Sequence, residues 1–375
     1  MKKALMYASV ASMISQFNME NIKLLKELGY QVDVACNFEF GSTISKEKIE
    51  MLKEELSNMG INFSHIPIPR KISDTSNLRK AYKQTKLLLN KREYDLIHCH
   101  SPIGGIICRI ANKNSDHYKK VKMIYTAHGF HFFKGNNPLK NFLFRNIERY
   151  GAKYTDVLIT INQEDFEAAK KFKLRKNGSV EYVPGVGIDL DKINSIQGNR
   201  EKLINELDIS KDSILLLSVG ELNENKNHRI VIEALPRLPH NIHYLICGIG
   251  PLKETYLNLA KELDIGDRLH LLGYRNNIIE IMKSCDIFIF PSKREGLSVA
   301  LMEAMAAGLP CVVSEIRGNC DLINNKDFLF NLDEKEKFQQ SIEQLFRDFK
   351  KCTYLNLVNF SISNIKNKMV AIYKK

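Results

Sequence analysis

Glu295 and Glu303 stand with seven residues between them in the stretch FPSKREGLSVALMEAMAAGLPCVVS, Phe290 to Ser314. The stretch reads as a strand end, a loop, a short helix stopped by Gly308-Leu309-Pro310, and a second buried strand. Gly296, Leu297 and Ser298 fall where the loop becomes helix. Unpaired N–H groups and the positive end of the helix dipole suit a phosphate there. A carboxylate further along the same helix cannot want that phosphate. It can accept two hydrogen bonds from a ribose diol beyond it, as acidic residues do in dinucleotide sites. The stretch therefore points to a nucleotide-diphosphate site.

Two other groups lie where strands end. Lys226 follows the apolar run Ile214–Val219 and Gly220, at the mouth of a helix, where a lysine can pair with a diphosphate. On its own, a solvated loop lysine is the commoner fate. His128 follows the run Met123–Ala127 and could hydrogen-bond a sugar hydroxyl or move a proton. Gly129 beside it lets a ligand approach the backbone. His98 and His100 would share one strand face, but no further ligand cluster accompanies them, so no metal site is expected. Asp95, Asp156 and Asp286 each precede an apolar strand and read as junction residues without catalytic duty. Gly248-Ile249-Gly250 is a truncated glycine fingerprint. The full GxGxxG is absent from every strand–helix turn, which counts against a dehydrogenase. No GxxxxGK[ST] loop or GxSxG elbow occurs.

Alternating strands and helices must hold these groups. In the first half, strand-like runs are Ala4–Ala8, Val32–Cys36, Phe63–Ile68, Leu96–Cys99, Met123–Ala127, Val157–Ile161 and Glu181–Val183. Helical periods cover Ile14–Leu28, Lys46–Met59, Leu78–Asn90 and Leu139–Tyr150. A second alternation follows: strand Ile214–Val219, helix Asn227–Leu235, strand Tyr244–Cys247, a helix from Pro251 to Leu263, and strands Leu269–Gly273, Ile287–Phe290 and Cys311–Val313. Such alternation predicts parallel sheets with helices on both faces. Pro184-Gly185-Val186-Gly187 is a break, followed by a polar tract to Asp212, and marks the interdomain linker. The domains are thus 1–185, 186–353 and a tail helix, 354–375, expected to return to the first domain.

At 375 residues the chain suits two domains. No apolar run is long enough to span a bilayer. The start, MKKALMYASVASM, reads as a first strand rather than a signal peptide. The eight cysteines form no CxxC pair, and those in apolar strands pack as small hydrophobes, which fits a reducing cytoplasm. The net charge of +12 is uneven: residues 1–185 hold 30 Lys+Arg against 18 Asp+Glu, and the remainder 25 against 25. A basic half suits an anionic membrane or a nucleic acid. No interleaved aromatic–basic constellation supports nucleic acid. Arg70, Lys71, Arg79 and Lys80 cluster around one helix. Lys134, Lys140, Arg145, Arg149 and Lys153 flank another that carries Phe142, Leu143, Phe144 and Ile147. This predicts a monotopic membrane contact, unless the phenylalanines are core.

The block Glu295 to Pro310, EGLSVALMEAMAAGLP, resembles the mark of the retaining glycosyltransferases of family 4, EGxxxxxxEAMAxGxPV. SPIGG at Ser101–Gly105 and the N-terminal SVASMISQFNMENIKLLKELGYQVDVACNF are similar to bacterial members of capsule, exopolysaccharide and O-antigen assembly. The resemblance implies the α/β GT-B fold: two facing Rossmann-like doubly wound domains with a cleft between them. It implies that Glu303 holds the ribose, Glu295 faces the donor sugar, and the backbone of Gly296, Leu297 and Ser298 meets its hydroxyls or phosphates. Lys226, beside Gly220, would bind the diphosphate, and His128 the transferring sugar. Tyr274 and Arg275 fall where the family grips the base. Ser12 and Met13 lie in an expected acceptor-side loop, Ser9–Ser15. Two departures stand out. Gly220-Glu221-Leu222 replaces G-R-L, so Arg275, Arg294 or backbone donors must substitute for the clamp arginine; and the first loop lacks a glycine pair.

The resemblance further implies transfer of a hexose or N-acetylhexosamine from a UDP-linked donor to an undecaprenyl-diphosphate-linked glycan. No cofactor or metal is expected. The enzyme would be cytoplasmic and peripheral on the anionic inner face of the cell membrane. A GT-B sugar-nucleotide epimerase and a non-catalytic polyanion-binding protein are the alternatives.

Overall fold

A computed structural model describes residues 1–42, 44–333 and 357–375. The chain divides into two compact units: Met1–Val186 with Ile365–Lys375, and Gly187–Asn364. The end expected for the second domain, residue 353, and the start expected for the tail, residue 354, lie outside the described residues.

The first unit is built on seven strands: β1 (Lys3–Val10), β2 (Gln31–Asn37), β3 (Asn62–His65), β4 (Leu96–His100), β5 (Lys122–Ala127), β6 (Val157–Thr160) and β7 (Ser179–Tyr182). They pair in the order β3-β2-β1-β4-β5-β6-β7, all parallel. Central strands are buried because helices cover both faces, and most of their residues are apolar, with His98, His100 and Asp33 among the buried polar exceptions in β4 and β2. One face packs under the helices Met19–Glu27 and Lys46–Asn58 and under the C-terminal helix Ile362–Lys374, which contributes Ile365, Met369, Ile372 and Tyr373. The opposite face packs under the helices Thr75–Lys91 and Pro102–Lys113.

Among the described residues the second unit has six parallel strands: β8 (Ile214–Val219), β9 (Ile242–Cys247), β10 (Leu269–Gly273), β11 (Ile287–Phe290), β12 (Cys311–Ser314) and β13 (Leu329–Phe330), in the order β10-β9-β8-β11-β12-β13. Each sheet reverses its strand order once, between β1 and β4 in the first and between β8 and β11 in the second. Doubly wound sheets bind ligands at that crevice, outside the carboxyl ends of the strands.

The junction aspartates do one repeated job. Asp95 accepts the Lys3 N–H at 2.7 Å, Asp156 that of Met123 at 2.7 Å and Asp286 that of Leu215 at 2.8 Å. Each carboxylate at the foot of one strand satisfies an amide of the first or second residue of its neighbour.

Several expectations need correction. The single helix Ile14–Leu28 is two, Ala11–Phe17 and Met19–Glu27, broken at the buried Asn18. Its side-chain amide donates to Met13 O at 2.9 Å, competing with the helical ladder. The expected acceptor-side loop Ser9–Ser15 does not form, because β1 runs to Val10 and meets that helix directly. The aperiodic tract to Asp212 contains two short helices, Leu190–Ser195 and Arg200–Leu207, capped by Asp189 and Asn199. Pro251 lies in the turn before its helix, which starts at Lys253.

The helix Pro102–Lys113 was not expected, since Gly104-Gly105 weakens its signal. Packing demands both glycines. A Cβ on Gly104 would sit 2.7 Å from Ser9 Oγ, and one on Gly105 2.5 Å from the Tyr125 ring.

Candidate active site

Lys226 and Glu295 follow β8 and β11, the two strands that flank the reversal of the second sheet. Their loops are bolted together. Asn225 Nδ2 donates to Arg294 O at 3.0 Å, Lys293 N–H to Asn225 O at 2.7 Å, and Asn227 Nδ2 to Pro291 O at 3.2 Å. The result is an ion pair between Lys226 Nζ and Glu295 Oε1 at 2.8 Å, with the side chains 20% and 15% exposed. The ammonium also lies 4.5 Å from the centroid of the Phe290 ring. Behind it, Ile289 O, Ser218, Tyr244 and His228 form a buried hydrogen-bonded chain. Burial and the Lys226 charge push the His228 pKa down to about 4, so its ring stays neutral under the lysine.

The helix of the second glutamate is Val299–Ala306. Ser298 caps it, its hydroxyl accepting the Leu301 N–H at 3.3 Å. That occupies the Ser298 hydroxyl, while the N–H groups of Gly296, Leu297 and Ser298 have no acceptor among the described residues. Glu303, on the helix, is partly buried, and its carboxylate has no hydrogen-bond partner among the described residues. Burial raises its pKa, and the nearby Lys192 draws it back. In one helix–loop unit, an unpaired, partly desolvated carboxylate can take a diol while the free amides at the helix start take a phosphate.

The glycines here are packing residues. A Cβ on Gly220 would lie 3.0 Å from the Lys226 stem that crosses it. A Cβ on Gly248 would lie 1.8 Å from Gly220 O, and one on Gly250 2.4 Å from Leu222 O. The truncated fingerprint therefore lets one loop backbone press on another and hold the lysine loop in place. Gly248→Ala is expected to cost about 1–3 kcal/mol by overpacking. Chemical denaturation checks this.

Glu221 is exposed and accepts from Asn223 Nδ2 at 2.9 Å. Arg275 is engaged elsewhere: it pairs with Glu206 and donates to Leu272 O. Tyr274 is 63% exposed beside it, after the edge strand β10. Arg294 is exposed. Arg317, which sequence reasoning missed, donates to Glu295 O at 3.3 Å. Gly318 beside it presses on Gly296, since a Cβ there would sit 2.3 Å from Gly296 O. No periodic signal marks this segment after β12.

In the first unit, His128 belongs to a chain of imidazoles. His128 Nε2 lies 3.0 Å from His100 Nδ1, and His100 Nε2 lies 3.2 Å from the Met6 sulfur. A thioether can only accept, so His100 carries its proton on Nε2 and accepts from His128 on Nδ1. This leaves the His128 Nδ1 lone pair without a partner among the described residues. Burial lowers the His128 pKa to about 4, which keeps the ring neutral. His98 binds the Tyr373 hydroxyl and Thr126, both at 2.8 Å, and is a structural tie to the C-terminal helix. Among the described residues no three His, Cys, Asp or Glu side chains could hold a metal ion. Ser12 is buried, its N–H donating to Ser42 Oγ at 3.1 Å, and Met13 packs on the core.

The helix Pro138–Ala152 carries the basic–apolar face of the first unit. Leu139 is 80% and Phe142 72% exposed, with Leu143 also open, among Lys140, Arg145 and Arg149. Phe144 packs instead against the core. Among the described residues no helix is long and apolar enough to cross a membrane.

Residues 199–356 match the family model described as glycosyl transferases group 1, and residues 7–162 the one described as glycosyl transferase 4-like. EpsD of Bacillus subtilis strain 168, which is named as a glycosyltransferase, is 32% identical over 99% of this chain and 96% of its own. The UDP-Gal:alpha-D-GlcNAc-diphosphoundecaprenol alpha-1,3-galactosyltransferase of Escherichia coli is 30% identical over 80% of this chain and 76% of its own. Among solved structures, Anabaena Alr3699/HepE in complex with UDP and glucose superposes with a TM-score of 0.72, covering 100% of both chains at 17% identity.

Proposed function

Because this chain belongs to the glycosyltransferases that the two matched family models describe, we propose that it transfers a hexose or N-acetylhexosamine, with retention, from a UDP-sugar to a lipid-diphosphate-linked glycan in surface polysaccharide synthesis. The observation that carries this reading is the unpaired Glu303 carboxylate in the same helix–loop unit as free amides and the Lys226–Glu295 pair. The E. coli relative is named for a UDP-galactose donor and a diphosphoundecaprenol acceptor, which supports the substrate classes. The complex of Alr3699/HepE with UDP supports the donor.

Glu303 would accept both ribose hydroxyls. Lys226 and the amides of Gly296 to Ser298 would meet the diphosphate, with Arg317 beside the same loop. In the transfer, the bond from the anomeric carbon to the diphosphate oxygen breaks. The bond from that carbon to the acceptor oxygen forms on the same face, and the acceptor proton passes to the departing phosphate oxygen. The protein lowers the barrier by neutralising the leaving group and positioning both partners. Neutral His128, with its free Nδ1 lone pair, would accept a hydrogen bond from a sugar hydroxyl. Glu295, once Lys226 turns to the diphosphate, would face the donor sugar. Tyr274 lies at the carboxyl edge, where a base could stack.

The exposed face of the helix Pro138–Ala152 would rest on anionic lipid. Each basic side chain near such a surface contributes about 1 kcal/mol, screened by salt. Incubation with a panel of UDP- and GDP-sugars, with and without a lipid-diphosphate glycan, tests the whole reading. A new lipid-linked glycan with an unchanged anomeric configuration is expected. Turnover of donor without acceptor would point to an epimerase instead. Binding to anionic vesicles should fade with salt, and Phe142→Ser should weaken it about tenfold. Salt-independent binding, or none at low salt, would remove the membrane contact.

A further inference from the structure

A groove of about 510 Å³ opens in the first unit among the helices Thr75–Lys91, Pro102–Lys113 and Pro138–Ala152. Its volume is that of a small-molecule site, typically about 300–1,000 Å³. It begins at the carboxyl edge of the sheet, where the segment after β3 and the start of the helix after β4 contribute lining. The walls are apolar: Ile72, Leu78, Ile103, Ile106, Phe144 and Ile147. The one carboxylate in the lining, Glu148, is already spent. Its oxygens take Arg109 Nη2 at 3.0 Å and the Tyr125 hydroxyl at 2.9 Å. Arg70 and Lys71 line the groove and are exposed, and the Lys71 ammonium has no partner among the described residues.

An apolar trough ending in two cations fits an amphiphile with an anionic head. It does not fit a nucleotide or a sugar, because its walls offer few polar partners and buried polar groups need them. We propose that this groove holds the isoprenoid segment next to the diphosphate of the acceptor, with Arg70 and Lys71 meeting the diphosphate itself. The inference rests on the acceptor class given above and adds the place where its lipid is read. Recognition then extends past the glycan to the chain, so a water-soluble glycosyl diphosphate is a poorer acceptor than its lipid-linked form.

The test is equilibrium binding to the full chain with UDP saturating the donor site, with farnesyl diphosphate and inorganic diphosphate as probes. Farnesyl diphosphate should bind at least about tenfold more tightly, since burying several methylenes is favourable. Ile106→Trp fills the groove from a partly exposed position, and Ile72→Ser removes an exposed wall. Both should bring farnesyl diphosphate down to the level of inorganic diphosphate while leaving UDP binding and Tm unchanged. Lys71→Gln should weaken both probes alike. Equal affinity for the two probes, or full farnesyl diphosphate binding by Ile106→Trp and Ile72→Ser, would overturn the groove assignment. So would capture by anionic vesicles with no binding of the single-chain probe. Groove-dependent binding in a protein that transfers nothing to lipid-linked glycans would support the groove and sink the acceptor reading. Transfer to a lipid-linked glycan that Ile106→Trp leaves untouched would do the reverse.

Discussion

Lys226→Ala should lower the transfer rate by about 10²- to 10³-fold, the usual effect of deleting one preorganised donor to developing charge. The reason lies in where the ammonium is held. Its stem crosses Gly220 within 3.0 Å of where a Cβ would be, and its loop is tied by three hydrogen bonds to the loop of Glu295. Little reorganisation is needed when a diphosphate replaces the carboxylate as its counter-ion. Without donor, Glu295 serves as that counter-ion at 2.8 Å.

The same pairing complicates the experiment, and a double variant resolves it. Lys226→Ala leaves a mostly buried carboxylate without its cation, which should cost about 1–3 kcal/mol of stability. Lys226→Met with Glu295→Gln removes both charges and should return near to wild-type Tm, because the net worth of such a pair against neutral partners is small. Turnover should stay low in both variants. If the double variant recovered activity along with stability, the rate loss would be a folding effect and the diphosphate role would be wrong. Single-turnover measurement with saturating donor separates chemistry from donor affinity.

The inner strands were legible because they are buried on both faces. β8 and β11 begin and end where the apolar runs do. What local pattern could not reveal were contacts made at long range. Gly104 and Gly105 lower helix propensity, yet they sit in a helix, where Ser9 and Tyr125 leave no room for a Cβ. Asn18 is an ordinary residue in a helical period until its amide turns back on Met13 O. The two glutamates and the lysine were visible from their places after strands. Their pairing was not, since 69 residues separate Lys226 from Glu295. Arg317 carried no signal at all. It reaches the Glu295 loop where Gly318 packs on Gly296, a backbone contact that no side-chain pattern encodes.

Glu303→Gln should separate stability from function in opposite directions. An amide keeps the shape but loses the charge that strengthens hydrogen bonds to a diol. UDP affinity should therefore fall by about 1.5–3 kcal/mol, roughly 10- to 100-fold. Stability should move the other way. Burial holds the folded-state pKa of Glu303 above that of the unfolded chain. As pH rises, the unfolded chain gives up this proton first, so the folded state loses stability across the interval between the two pKa values. Above that interval the wild type carries the cost of a desolvated carboxylate, and the glutamine variant should show a higher Tm. Below it both forms are neutral and the advantage should vanish. UDP binding by the wild type should weaken on acidification through the raised pKa, at a higher pH than an ordinary carboxylate would give. The variant should lack this step. A variant that binds UDP as tightly as the wild type, with the same pH profile, would mean that the ribose is held elsewhere.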